Sequence, residues 1–142
     1  MHYLIGVIVS SPYAESEVEE ALAPFKDEEW DYYIIGGRYS GSFTECGYGD
    51  IVPVACVLKK QEAAEEHLFC AIVVDGEWYR RPWASDFVPW RVGYLLSDDE
   101  AREYWERGHQ EAERILPRWR EKIIELLREH QDKFIAIVDC HN

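Results

Sequence analysis

The residues best suited to chemistry in this sequence lie in two short segments that are far apart along the chain. The first contains Asp31 and the run Gly36-Gly37-Arg38, and the second contains Asp139 and His141. Consecutive glycines can hold backbone N–H groups around an anion, and a neighbouring arginine can bind a phosphate or a carboxylate. Aspartate and histidine are side chains that enzymes use to move protons. These residues form the candidate site, and no catalytic role is assigned to any of them.

The glycine run does not match the known phosphate-binding loops. A P-loop requires G-x-x-x-x-G-K-[ST], and a dinucleotide-binding fingerprint requires G-x-G-x-x-G at the start of a helix. The residues after Arg38, Tyr-Ser-Gly-Ser, do not begin a helical pattern. The alternative to an anion site is a strand that ends in a bulge or turn, with Arg38 in a local ion pair.

The sequence predicts no metal site near the last strand. His2, Asp139, Cys140 and His141 are all of ligand types. Successive side chains of a strand point to opposite faces of the sheet, so Cys140 faces away from Asp139 and His141. The four side chains therefore do not converge, and we expect neither a metal nor a cofactor.

Composition and charge favour a protein partner. The 142 residues are the length of one domain, and we expect residues 1–142 to form a single α+β domain whose apolar runs are too short to cross a membrane. Lys and Arg number 15 against 28 Asp and Glu, a net charge of −13. Such a surface repels nucleic acid and suits a basic protein, unless it serves solubility alone. We expect no direct nucleic-acid binding, no membrane association and no small-molecule substrate.

The cysteine spacing indicates the cellular compartment of the protein, and the amide content indicates the kind of organism. None of the four cysteines has C-x-x-C spacing, so we expect reduced, mostly buried thiols in a cytoplasmic protein. A single asparagine together with many charged residues is typical of a thermophile's protein.

Hydrophobic patterns predict six strands and three helices. Apolar and β-branched runs predict strands at residues 3–9, 30–35, 51–58, 69–74, 77–81 and 134–139, with Asp75-Gly76 as a type I′ turn. Helical spacing predicts short helices at about residues 13–23 and at residues 59–67. Ser11 is the predicted N-cap of the first of these helices, and Pro12 is at its first helical position. Ser97 and Glu100 form a capping box for a long helix, which Pro117 should kink or break. The predicted apolar face of this helix includes Tyr104, Trp105, Ile115, Trp119, Leu126 and Leu127.

This order of elements predicts an α+β fold with a mostly antiparallel sheet. We expect the long kinked C-terminal helix and the shorter N-terminal helix to pack on one face of the sheet, in a ferredoxin-like arrangement with an inserted hairpin. The first and last strands should pair antiparallel, which would place His2 near Cys140 and His141. Several aromatic residues lie outside these elements and either fill the core or anchor a partner: Trp83, Phe87, Trp90 and Tyr94.

Three segments resemble a group of small phage and bacterial proteins. The shared pattern is W-D-[WY]-Y-x-I-G-G-R-[WY]-x-G, D-G-E-W and V-D-C-H, and the corresponding segments here are WDYYIIGGRYSG from Trp30, DGEW from Asp75 and VDCH from Val138. This resemblance implies a phage origin and no particular reaction. In size, acidity and composition the chain is also similar to a small early protein of Thermus phages, which binds the β flap of host RNA polymerase and the C-terminal region of sigma.

These observations lead to two main hypotheses. The first is a phage-encoded regulator in the host cytoplasm that binds RNA polymerase at the β flap and the sigma C-terminal region, and inhibits −35-dependent transcription. The alternative is a small hydrolase or metal-binding enzyme built on Asp31, Arg38, Asp139 and His141. A purely structural role in a larger assembly is a third hypothesis.

Overall fold

The computed structural model describes residues 1–88 and 95–142 and has the predicted α+β architecture. Its elements in chain order are β1 (His2–Val9), α1 (Glu15–Leu22), β2 (Tyr32–Ile35), β3 (Ile51–Pro53), α2 (Val54–Ala63), β4 (Ala71–Val74), β5 (Glu77–Arg80), α3 (Asp98–Glu129) and β6 (Phe134–His141). Of the aromatic residues singled out above, Trp90 and Tyr94 lie outside the described residues. Within the described ranges, no helix combines the length and the apolar character needed to cross a membrane.

The six strands form one sheet in the order β2-β6-β1-β4-β5, with β3 also paired to β6. The first and last strands pair antiparallel from His2 opposite His141 to Val9 opposite Phe134, which confirms that prediction. β1 and β4 run parallel, whereas the other strand pairs of the described residues are antiparallel. β6 therefore has β1 on one side and both β2 and β3 on the other.

The helices cover both faces of the sheet, so the prediction that they pack on one face is wrong. Leu22 of α1 packs in the cluster that contains Val138, whereas Trp119 of α3 packs in the cluster that contains Ile137. Residues 135–140 of β6 are all buried. A strand that is apolar at successive positions needs cover on each face of the sheet, and one layer of helices cannot supply it.

The predicted strand at residues 51–58 is wrong beyond Pro53. β3 ends at Pro53, and α2 begins at the next residue. The buried residues of α2 recur with the i, i+3, i+4, i+7 spacing of one helix face: Val54, Val57, Leu58 and Gln61. Packing of this face in the core overrides the strand preference of the β-branched residues. The helix predicted at residues 59–67 is the second half of α2, which ends at Ala63.

The start of α1 also differs from the prediction. Its N-cap is Ala14, and no side chain caps it. The Ser11 hydroxyl instead accepts a hydrogen bond from the backbone N–H of Tyr13 at 3.3 Å, in a turn that precedes the helix. Serine forms such local turns in competition with helix capping, so Ser11 and Pro12 do not mark the first helical turn.

Ser97 caps α3 as predicted, which is the Ser97 half of the predicted capping box. The backbone N–H of Glu100 donates to Ser97 Oγ at 3.3 Å. The helix continues through Pro117, so the break that was one of the two predicted outcomes does not occur. Trp119, Leu126 and Leu127 are buried, and the residues predicted for the first half of the face are partly exposed.

Cys46 and Cys56 form a disulfide bond, so the prediction of reduced thiols is wrong for this pair. Their Cα atoms lie 5.7 Å apart because α2 folds back on the turn Thr44–Cys46 that follows β2. The bond ties the connection between β2 and β3 to α2, and Lys60 adds an ion pair with Glu45 at 2.6 Å. Disulfides occur in oxidising compartments and in the intracellular proteins of hyperthermophiles.

Candidate functional site

The candidate residues from the two distant segments meet at one end of the sheet. Alternation along β6 places Asp139 and His141 on one face, and Cys140 belongs to the cluster on the other face, as predicted. β1 places His2 beside His141, and β2 places Tyr32 on its other side. The pairing of β6 with both neighbours therefore assembles side chains that are far apart in the sequence.

Asp139 is buried and accepts hydrogen bonds at both oxygens. Its Oδ1 lies 2.8 Å from His2 Nδ1, and its Oδ2 accepts the Arg38 backbone N–H at 3.0 Å. The Arg38 Nε lies 3.8 Å from the same Oδ2, although the Arg38 side chain is 58% exposed. Burial raises the pKa of Asp139, but the Arg38 N–H and His2 outweigh it and hold that pKa below its usual value. Asp139 is thus an anion at neutral pH and orients the His2 ring.

A second carboxylate holds His141 in the same way. Asp31 Oδ1 lies 2.6 Å from His141 Nδ1, and the Asp31 backbone N–H donates to the His141 carbonyl oxygen at 2.9 Å. The hydrogen bond from His141 is the main cause of the lowered pKa of Asp31. This pair is more exposed than the first one, with the Asp31 side chain 53% accessible to solvent.

The two histidine rings lie side by side. Their centroids are 5.0 Å apart, and Tyr32 stacks on His141 at 5.1 Å. Each ring directs Nδ1 to its own carboxylate, so any proton transfer by the rings would take place at Nε2. The Met1 amine lies 3.4 Å from His141 Nε2, whereas His2 Nε2 has no hydrogen-bond partner in the described part of the chain.

The turn at Gly36 and Gly37 packs against carboxylates of the chain itself, and the N–H that donates to Asp139 is that of Arg38. Gly36 and Gly37 have φ angles of 79° and 51°, in the left-handed region that favours glycine. A Cβ on Gly37 would lie 2.5 Å from Asp139 Cβ, so only glycine permits this close approach. Asp50 lies against the same loop and accepts the Ser40 hydroxyl at 2.9 Å. The alternative of a turn with Arg38 in a local ion pair describes this segment better than a phosphate cradle does.

Cys140 is not placed to act as a nucleophile or to join the two histidines. Burial, together with the nearby Asp139 charge, raises the pKa of Cys140 to about 12. A thiol of this kind stays protonated and behaves as an apolar core residue. Among the described residues, no group of three or more His, Cys, Asp or Glu is arranged to hold a metal ion.

His2 is the member of this site whose role the sequence did not reveal. In the sequence it belongs to the group of metal-ligand types with Asp139, Cys140 and His141, and in the structure it is the side chain that Asp139 holds. The useful signal was the predicted antiparallel pairing of the first and last strands, because that register puts His2 opposite His141. Tyr32 follows from the same reasoning applied to β2, which pairs with β6 from the other side.

The arrangement has the elements of acid–base chemistry. A histidine whose Nδ1–H donates to a carboxylate presents Nε2 as a proton acceptor, and the same carboxylate stabilises the protonated ring. Two such rings in contact provide one base and one acid on a single surface. The exposed side chain of Arg38 has its Nε 3.8 Å from Asp139 Oδ2, the carboxylate that holds His2, and a guanidinium is suited to binding an anionic group.

Comparisons with family models, with curated proteins and with solved structures find no match to this chain.

Proposed function

We propose that this protein hydrolyses a phosphoester, with His2 and His141 as an acid–base pair. The observation that carries the proposal is the contact between two histidine rings that each have a carboxylate on Nδ1. Of the hypotheses drawn from the sequence, this arrangement favours the hydrolase built on Asp31, Arg38, Asp139 and His141, and it adds His2 to that set.

The charges around the two rings favour a small anionic substrate. Arg38 offers a planar, permanently charged group that binds phosphate oxygens through two hydrogen bonds. The net charge of −13 opposes the approach of a nucleic-acid polymer, whose binding depends on neutralising many phosphates. A compact phosphoester needs only the local positive groups of the site.

Hydrolysis would proceed by proton transfer at the two Nε2 atoms. One neutral imidazole takes a proton from a water molecule as the water oxygen forms its bond to phosphorus. The other imidazole, in its protonated form, gives its proton to the leaving oxygen as the P–O bond breaks. After the reaction, the ring that acted as base is protonated and the ring that acted as acid is neutral. Proton exchange with solvent restores the starting state of both rings. Asp139 and Asp31 stabilise whichever ring is charged at each stage.

The test is the hydrolysis of diphenyl phosphate, whose phenol leaving group requires a proton, by the wild type and two single variants. His2→Gln and His141→Gln should each lower the rate by about 10²- to 10⁴-fold, the usual contribution of one acid or base. The wild type should show a bell-shaped dependence of kcat/KM on pH. Loss of the base removes the limb on the acidic side, and loss of the acid removes the limb on the alkaline side.

The control is His109→Gln, an exposed histidine on α3 that contacts neither carboxylate. Its rate and pH profile should match those of the wild type. A pH profile that is unchanged in both His2→Gln and His141→Gln would refute the proposal, as would a wild-type rate equal to that of buffer alone.

We propose, as a second function, the binding of host RNA polymerase at its β flap and sigma C-terminal region by a phage-encoded regulator. A specific surface favours it: α1 and the turn after it expose acidic side chains that form no ion pair within the described residues: Glu15, Glu19, Glu20, Asp27 and Glu28. Such a surface attracts a basic partner, and the attraction weakens as salt is added.

In-vitro transcription with purified polymerase tests this second function. The protein should reduce transcript output from promoters that need the −35 element and leave output from −35-independent promoters unchanged, because only the former need sigma's C-terminal region held on the flap. Higher salt should weaken the inhibition. Equal output from both promoter classes with and without the protein would rule it out.

A further inference from the structure

Two adjoining cavities lie beside Tyr3 and Trp83, and the larger one is also lined by Met1, whose amine contacts His141. They have volumes of about 240 and 370 Å³ and share Tyr3, Trp83 and Asn142 as lining residues. The smaller one extends to Trp78, Glu28 and Glu29, and the larger one extends to Trp105. Together they form a groove with aromatic walls and an acidic end.

The aromatic walls are suited to a cation. The guanidinium carbon of Arg81 lies 4.2 Å from the centroid of the Trp83 ring, so this indole already stacks with one cation. Tyr3 and Trp83 lie 6.3 Å apart with their ring planes tilted by 50°, and the Tyr3 hydroxyl donates to the Glu29 carbonyl oxygen. That hydrogen bond fixes the Tyr3 ring as a wall between the two cavities.

The arginine that lines the same cavity is held mainly by Asp86, which together with a smaller contribution from Glu29 raises the pKa of Arg80. Arg80 donates two hydrogen bonds to Asp86, at 2.6 and 2.8 Å, so its charge is compensated there. Glu28 and Glu29 form no ion pair with the described residues. The groove therefore combines aromatic rings with free carboxylates, which is the combination that binds arginine and lysine side chains.

We propose that this groove binds a basic peptide segment of a partner protein, with an arginine or lysine side chain between Trp83 and the carboxylates of Glu28 and Glu29. An apolar residue next to that cation would enter the larger cavity towards Trp105. The net charge of −13 draws such a segment to the surface, and the groove gives it a specific place. The inference is independent of the acid–base proposal. It gives the polymerase-binding proposal a specific binding place, and it is tested separately from that proposal.

The experiment measures binding of the capped peptide acetyl-Ala-Arg-Leu-Arg-Ala-amide by titration calorimetry at low ionic strength. The double variant Glu28→Gln/Glu29→Gln should bind it at least fivefold more weakly than the wild type. The matched control, Glu19→Gln/Glu20→Gln, removes the same charge from exposed positions of α1 outside the groove and should change the affinity by less than twofold. Trp83→Leu keeps an apolar side chain but loses the ring, and should weaken binding by about 2- to 30-fold.

Three results would overturn the inference. Equal weakening in the two double variants would mean that only the overall charge attracts the peptide. Equally tight binding of the peptide with glutamates in place of arginines would mean that no cation is recognised, and absence of any binding at millimolar peptide would mean that the groove is not a site. A negative transcription result would leave the peptide measurement unaffected, so the two proposals fail separately.

Discussion

Replacing Trp119 with alanine is expected to lower the free energy of unfolding by about 3–5 kcal/mol. The Trp119 side chain is only 5% exposed and packs between α3 and the sheet, in the cluster that contains Phe69 and Ile123. Its Nε1–H donates to the Phe69 carbonyl oxygen at 2.8 Å. The substitution would leave a cavity and would also deprive a buried carbonyl of its donor, which adds to the loss.

Urea unfolding followed by circular dichroism measures this loss. Trp105→Ala is the matched control, because Trp105 lies on the same helix but is partly exposed. Its loss should be less than half of that for Trp119→Ala. If the free energy of unfolding of Trp119→Ala stayed close to that of the wild type, Trp119 would not be part of the core.

Gly37→Ala is expected to cost about 2–5 kcal/mol and to disrupt the Asp139 pair. Gly37 has a φ of 51°, which is strained for any residue with a Cβ. The added Cβ would also lie 2.5 Å from Asp139 Cβ and 2.6 Å from Asp139 Oδ2. Either the loop or β6 must therefore move, and the Arg38 N–H would lose its contact with the carboxylate.

Gly76→Ala separates these two effects. Gly76 has a φ of 76°, but a Cβ there would meet no atom within 4 Å. It should cost only the backbone strain, about 1–2 kcal/mol. Unfolding free energies of both variants give the comparison, and nuclear magnetic resonance of the His2 ring reports on the Asp139 contact. Equal losses for the two variants, with an unchanged His2 resonance, would show that the close approach of Gly37 to Asp139 is unimportant.

The parts of the fold that depend on local chemistry were predictable from the sequence. Asp75 and Gly76 both have positive φ, as the type I′ turn of a hairpin requires, and Ser97 caps α3 through a residue three positions ahead. These features involve neighbours in the chain, so the residue types alone specify them. The pairing of β1 with β6 followed from the order of elements and from the apolar, β-branched character of both runs.

Errors arose where distant packing decides the outcome. The run from Val54 to Leu58 is apolar and β-branched, and its burial on a helix face becomes apparent only with Gln61, which the prediction assigned to a separate helix at residues 59–67. Helices pack on both faces because the central strands of the sheet need cover on each side, and the number of central strands is set by the pairing of distant segments. The Cys46–Cys56 bond depends on how α2 folds back, which spacing does not reveal.

The candidate site shows the same division. Alternation along β6 correctly placed Asp139 and His141 on one face and Cys140 on the other. The sequence could not identify Asp139 as the carboxylate that packs against the Gly36-Gly37 turn. Arg38 and Asp139 are 101 positions apart, and they meet only through the register of β2 on β6. Residue types indicated an anion site, and only the sheet showed that the anion is internal.

The position of β6 in the sheet has a consequence for the biosynthesis of the protein. β6 pairs with three other strands, and its Asp139 is 137 positions from His2. Most of the sheet therefore cannot form until β6, the last of the described elements, has been translated. Closing so long a loop before its contacts form is slow compared with local helix formation. Until then, the edges of β1, β2 and β3 that face β6 lack their partner, and unpaired strand edges of this kind are prone to aggregation. The two histidine–carboxylate pairs therefore form only after β6 has left the ribosome.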